Sequence, residues 1–201
     1  MPRYGMVIDL KRCVGCHACS ISCKVAHGTS FGIFWNRVYE IEEGKYPSVR
    51  RYSLPRLCMH CENAPCVEVC PTGASSRRAD GIVLVDQEKC VGCKYCMVAC
   101  PYGARYLNEK AEGYFSRELT PYEEQAYKQH RVGVVQKCNF CAERLEIGKQ
   151  PACVATCIGK ARYFGDLDNP DSQVARLIRD KHGFQLQKEL GTNPSVYYLP
   201  A

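Results

Sequence analysis

The chain has 201 residues, 46% of them hydrophobic, enough for an ordinary core in one domain or two small ones. Its formal charge of +6 counts sixteen cysteines as neutral thiols, and no apolar run approaches the roughly 18 residues that cross a bilayer. The arginine pairs at 50–51 and 77–78 are isolated, so the positive charge is not the arginine-rich patch of a nucleic-acid binder. The opening, MPRYGMVIDL, lacks the basic and apolar regions and cleavage site of an export signal, and direct Sec-type export is not expected.

In chain order, YGMVIDL (4–10) reads as a strand leading into the first cysteine quartet, Cys13, Cys16, Cys19 and Cys23. FWNRVYEIEE (34–43) is a second strand-like run. The second quartet is Cys58, Cys61, Cys66 and Cys70, and the third is Cys90, Cys93, Cys96 and Cys100. Between them PTGASSRRADGIVLVDQEK has a turn, a strand-like GIVLV and a polar return, the texture of a hairpin. Residues 105–129 carry Tyr106, Tyr114, Phe115, Tyr122 and Tyr127 among charges, which suits a partner interface or a loop packed on its own protein. RVGVVQK (131–137) precedes the fourth quartet, Cys138, Cys141, Cys153 and Cys157, and ARYFGDL (161–167) follows it as a strand. NPDSQVARLIRDKHGF predicts a short amphipathic helix with Val174, Leu177 and Ile178 inward and Gly183 as its stop. The last strand-like run, SVYYLP, packs on this chain or on a partner.

The quartets share one pattern, Cys-x2-Cys-xn-Cys-x3-Cys, with n of 2, 4, 2 and 11. Disulfide scaffolds scatter cysteines to staple distant loops, whereas these come in packets of four. A zinc ribbon needs two Cys-x2-Cys pairs far apart, so that two knuckles meet around one ion. Three cysteines within seven residues, followed by a fourth after three more, form the ferredoxin run. There, three thiolates grip one cubane and the fourth reaches the other cluster of a pair. Four [4Fe–4S] clusters are expected, each with its four thiolates adding about −2, so the loaded protein carries about −2 rather than +6. The clusters read as a conductor: sixteen ligands leave no open iron for catalysis, and one structural pin would have sufficed.

Around the ligands, Gly15 and Gly92 sit where the backbone comes close to a cluster and positive φ is expected. Pro71 and Pro101 follow the fourth cysteines of quartets two and three, where Lys24 and Ile158 stand in the other two. Lys24 and Lys94 are candidates for cations that favour a reduced cluster, or are simply solvated. His17 and His60 lie between ligands, but with every cysteine position filled they are hydrogen-bonding or surface residues.

The hairpin-like spacer makes quartets two and three one unit. The outer quartets then pair across it, with 4–10 and 161–167 in one small sheet, and 34–43 and 131–137 as the other hairpin. A tandem arrangement, one with two and three with four, is the alternative. The motifs CENAPCVEVCPTGA, CNFCAERLEIGKQPACVATC and the trailing FGDLDNP resemble the iron–sulfur subunit of the dimethyl-sulfoxide-reductase family of molybdoenzymes. The opening is most similar to the polysulfide and thiosulfate reductase branch. The resemblance covers nearly the whole chain.

It implies nested ligation. One cluster would be held by Cys13, Cys16, Cys19 and Cys157, its neighbour by Cys138, Cys141, Cys153 and Cys23. The inner pair would use Cys58, Cys61, Cys66 with Cys100, and Cys90, Cys93, Cys96 with Cys70. The expected fold is α+β, loop-rich, with two ferredoxin-like two-cluster modules of small antiparallel sheets and short helices. An outer split module (1–57 plus 130–167) would enclose an inner one (58–104), with an insertion at 105–129 and a C-terminal helix and tail at 168–201.

The implied role is a non-catalytic electron-transfer subunit of an oxidoreductase complex. Its partners would be a quinol-oxidising membrane anchor subunit and a molybdopterin catalytic subunit that reduces a sulfur compound or similar respiratory acceptor. Membrane contact would come only through a partner, on the periplasmic or outer face by co-export, with the cytoplasmic face as the alternative. The same wire in an arsenate, sulfoxide, formate dehydrogenase or hydrogenase complex is a second reading. Formate dehydrogenase and hydrogenase homologues often carry a C-terminal membrane helix, which is not expected in a chain ending at Ala201. A zinc-stabilised binding protein is the reading from another class.

Overall fold

The computed structural model describes residues 2–115 and 117–201. Ligand loops leave little chain between them, so the elements are short. They run β1 Tyr4–Asp9, α1 Ala18–His27, β2 Arg37–Lys45, β3 Ser48–Arg56, α2 Pro65–Glu68, β4 Ser75–Arg77, β5 Val83–Val85, α3 Tyr95–Val98 and β6 Tyr106–Leu107. Then come α4 Pro121–Ala126, β7 Val135–Gln136, α5 Ala142–Glu146, α6 Ala152–Ala155, β8 Arg162–Asp166, α7 Gln173–Asp180 and β9 Val196–Leu199. This is the expected loop-rich α+β architecture of small sheets and short helices. Among the described residues no helix is long and apolar enough to cross a membrane.

Strand β1 pairs antiparallel with β8, from Tyr4 opposite Asp166 to Ile8 opposite Arg162. The chain entering the first quartet is thereby tied to the chain leaving the last, as the sequence suggests. β9 completes the sheet parallel to β1, so SVYYLP packs on this chain. Alternation along β1 sends Met6 and Ile8 into the main core and Val7 into a small second cluster with Val174 and Leu199. Both faces of this sheet are therefore covered, one by the ligand region and one by α7. Gly5 is required by that packing, because a Cβ there would lie 2.4 Å from the Leu167 side chain and 2.7 Å from the Ser195 carbonyl.

The spacer between quartets two and three forms the expected hairpin, β4 against β5. The other predicted hairpin does not form. Residues 37–45 pair instead with β3, across a turn at Tyr46–Pro47, and β7 pairs with β6. The physical reason is loop closure: β3 lies two residues after β2, whereas β7 would have required ordering the whole intervening chain first. Helix α7 starts after the proline rather than at it, from the Ser172 cap whose Oγ accepts from Ala175 N at 3.1 Å. It ends at Asp180, before the expected stop at Gly183: His182 takes the left-handed backbone (φ 53°), and the Gly183 N–H donates to the Ile178 carbonyl at 2.8 Å.

The insertion contains its own helix, α4, started by a capping box in which Thr120 Oγ1 accepts from Glu123 N and the Glu123 carboxylate accepts from Thr120 N. Of its aromatics, Tyr127 is buried and Tyr106 partly buried in β6, while Tyr114, Phe115 and Tyr122 are exposed. The segment thus packs on its own protein and still presents an aromatic face.

Candidate metal centres

In each quartet the third cysteine is the second residue of a short helix: Cys19 in α1, Cys66 in α2, Cys96 in α3 and Cys153 in α6. The loop before it must turn back sharply to bring the first two sulfurs alongside. Left-handed backbone does this, at Gly15 (φ 67°), His17 (58°), Gly92 (68°) and Lys94 (66°), with His60, Phe140 and Cys141 likewise. Glycine adopts this region freely, which is why Gly15 and Gly92 stand there; Gly92 also has the Gly133 carbonyl where a Cβ would go. The non-glycine residues cost of order 1 kcal/mol each, strain that packing around the loops must offset.

All sixteen cysteines are free of disulfides. Burial raises most of the resolved thiols, and the sulfurs that add to this effect identify neighbours. Cys13 is raised by burial, against the Gly15 N–H and Arg162, and then by Cys19 and Cys157. Cys23 is raised by burial and then by Cys138, Cys153 and Cys141. Burial first, then Cys58, Cys66 and Cys100, push Cys61 up to about 12, with the Thr192 hydroxyl acting the other way. Cys96 rises through burial, against Arg105, and feels Cys90 and Cys70. The structure thus brings together Cys13, Cys19 and Cys157; Cys23, Cys138, Cys141 and Cys153; Cys58, Cys61, Cys66 and Cys100; and Cys70, Cys90 and Cys96. Cys16 and Cys93 are exposed; Cys16 lines one small cavity with Cys13, Cys19 and Cys157, and Cys93 another with Cys70, Cys90 and Cys96.

Donors reach several sulfurs. The backbone N–H groups of Ser75, Ala152 and Ala161 donate to Cys70, Cys141 and Cys157 at 3.4, 3.4 and 3.2 Å. At Cys70 these contacts outweigh burial, and with the Thr72 hydroxyl they bring the thiol down to about 7. His27 Nε2 lies 3.1 Å from Cys141 Sγ while its Nδ1 meets Glu143 Oε1 at 3.1 Å. His60 is fully buried; its Nδ1 accepts from Val83 N at 3.1 Å and its ring stacks on Phe140 with centroids 3.6 Å apart.

The two lysines singled out from sequence are engaged elsewhere. Lys24 Nζ donates to the carbonyls of Thr29, Ser30 and Ile33 at 2.6, 2.9 and 3.3 Å, and exposed Lys94 pairs with Glu109. Among the described residues, the cations that hydrogen-bond cysteine sulfurs are two that sequence reasoning passed over, Arg105 and Arg162, each 4% exposed. Arg105 donates to Cys66 Sγ at 3.0 Å and Arg162 to Cys19 Sγ at 3.4 Å. The signal was present: CPYGARY and CIGKARY each place an arginine five residues after the fourth cysteine.

Those arginines test whether the residues suit iron–sulfur clusters. Neither guanidinium has a carboxylate partner among the described residues; their bonds go to Ser75 Oγ, Asn36 Oδ1 and sulfur. A buried charge without a counter-charge costs several kcal/mol. Thiolates around an iron core supply the missing negative charge, and the donor set is all sulfur, as such a core requires. The site fits.

The 4Fe-4S dicluster domain family matches residues 49–115 and 112–167. A subunit of the tetrathionate reductase of Salmonella typhimurium is 42% identical over 98% of this chain and 72% of its own length. The arsenate respiratory reductase iron–sulfur subunit of a Shewanella species is 41% identical over 98% of this chain and 96% of its own. A subunit of the selenate reductase of Mesobacillus selenatarsenatis is 44% identical over 98% and 72%. The chain belongs to the iron–sulfur subunits of the dimethyl-sulfoxide-reductase family. As such a subunit it is an electron-transfer protein, and its sixteen cysteines fit four [4Fe–4S] clusters.

Proposed function

We propose that this iron–sulfur subunit carries electrons between a quinol-oxidising membrane subunit and a molybdopterin catalytic subunit that reduces a sulfur compound or a related respiratory oxyanion. When bound, each cluster takes up and returns one electron. The observation carrying the proposal is the arrangement of sulfurs. Cys138 is raised first by burial and next by Cys58, so the group of Cys23, Cys138, Cys141 and Cys153 adjoins that of Cys58, Cys61, Cys66 and Cys100. These two groups are mostly buried, whereas the other two each include an exposed thiol, Cys16 or Cys93. Such a line has a protected middle and two accessible ends, which suits passage from one partner to another.

The nested ligand sets belong to the same proposal: Cys13, Cys16, Cys19 with Cys157; Cys138, Cys141, Cys153 with Cys23; Cys58, Cys61, Cys66 with Cys100; Cys90, Cys93, Cys96 with Cys70. So does the division into an outer module of 1–57 plus 130–167 and an inner one of 58–104, with the β1–β8 pairing as support. Cys16→Ala and Cys157→Ala test this pairing. Nesting predicts that both remove the same paramagnetic signal; loss of different signals would contradict it. The catalytic partner is tested by metal analysis of the co-purified complex. Molybdenum is expected, and nickel in its place would move the chain to a hydrogenase. Placement on the outer face of the membrane by co-export with that partner completes the reading, tested by protease accessibility in spheroplasts.

A further inference from the structure

The two modules share a feature that their ligand sets do not explain. Arg105 follows Cys100, and Arg162 follows Cys157, by five residues, each after the second quartet of its module. The matching positions after the first quartets, Gly28 and Ser75, carry no charge. Each guanidinium reaches the third cysteine of the other quartet: Arg105 Nη2 donates to Cys66, and Arg162 Nη2 to Cys19. Arg162 also lines the small cavity shared by Cys13, Cys16, Cys19 and Cys157. Ser75 Oγ fixes Arg105 at 2.7 Å and Asn36 Oδ1 fixes Arg162 at 2.9 Å.

We propose that Arg105 and Arg162 are an equivalent pair of fixed counter-charges, one at a buried cysteine sulfur of each module, that raise the reduction potentials of the clusters beside them. The physical basis is direct. A reduced cluster carries one more negative charge, and a permanent cation at hydrogen-bond distance, shielded from water, favours that state. Arginine suits the task because it stays protonated when buried, and its fork can serve sulfur and a neutral anchor together. These are positioning charges that hold the potential of groups which themselves do the transfer. The inference rests on the ligand sets proposed above, and its test separates the two.

The experiment is potentiometric titration of the assembled complex, followed by electron paramagnetic resonance, with iron counted in every sample. R105Q is expected to weaken reduction of inner-module clusters at least tenfold, a fall of about 59 mV for one electron, leaving outer-module signals in place. R162Q should do the converse. R105K and R162K, which keep the charge, should recover most of the shift. Asn36→Asp is a near-isosteric second route, because it sets a carboxylate against Arg162 without removing it, and it should lower the outer potentials as R162Q does. Full iron content with unmoved potentials in the glutamine variants and in N36D would overturn the counter-charge. So would equal shifts in the lysine and glutamine variants, or iron lost from every substitution of either arginine including lysine, which would make the guanidinium a folding element only. Low iron in the unaltered complex would instead overturn the ligand sets.

Discussion

His60 illustrates how one side chain between ligands can hold two parts of the fold together. It occupies the position before the second cysteine of its quartet, and Phe140 occupies the same position in the fourth quartet. Their stacked rings join the region of Cys58 to that of Cys138, and the His60 Nδ1 satisfies the buried N–H of Val83. His60→Leu keeps an apolar contact but leaves that N–H without an acceptor. It is expected to cost about 1–3 kcal/mol, read as a lower denaturant midpoint for loss of cluster absorbance; an unchanged midpoint would contradict the role. At this scale the sequence was readable for the turn glycines Gly15 and Gly92, which take the positive φ expected of them, because that demand follows from spacing alone. It was not readable for Lys24, Lys94, Arg105 and Arg162, because whether a cation meets sulfur depends on side-chain direction in three dimensions. Lys24 sits next to a ligand and bonds a loop; Arg162 is remote from Cys19 in sequence and touches it.

Among elements, α4 and α7 owe their stability to different things. α7 is held by its inward face, with Val174 fully buried against Val7 and Leu199. Val174→Ala should destabilise this end of the molecule by about 2 kcal/mol, seen as faster amide exchange across β8 and α7. α4 depends on its cap. The Glu123 carboxylate accepts from Thr120 N and Thr120 Oγ1 at 2.8 Å and from Tyr114 N at 3.1 Å. These bonds, led by the Thr120 backbone, hold its pKa below the ordinary carboxylate value. A depressed folded pKa means stability that is present above about pH 4.3 and is lost as pH falls through the folded value. Acidification should therefore open the 105–129 segment to proteolysis, and E123Q should open it already at neutral pH; equal cleavage of E123Q and wild type at neutral pH would contradict the cap. The hairpin of 75–85 and the β1–β8 pairing were legible from turn texture and alternation. The partners of residues 37–45 and 131–137 were not, since strand-like runs do not name their partner, and the sequence-adjacent pairing prevailed for β2.

For the whole molecule, the metal is both charge balance and core. The main core interleaves buried cysteines with Met6, Ile8, Leu57, Met59, Phe140 and Tyr198, so the sulfurs stand where another protein of this size would place more aliphatic side chains. Such a chain folds around its cofactor. Removing the iron should leave buried arginines facing neutral thiols and collapse the tertiary structure, not merely bleach the colour. The measurement that tests the central claim most directly is quantitative iron and acid-labile sulfide on anaerobically purified complex, with spin counting after dithionite. About sixteen of each per chain are expected, with interacting paramagnetic signals on reduction. Far fewer irons, or zinc in their place with no signal, would contradict a four-cluster conductor.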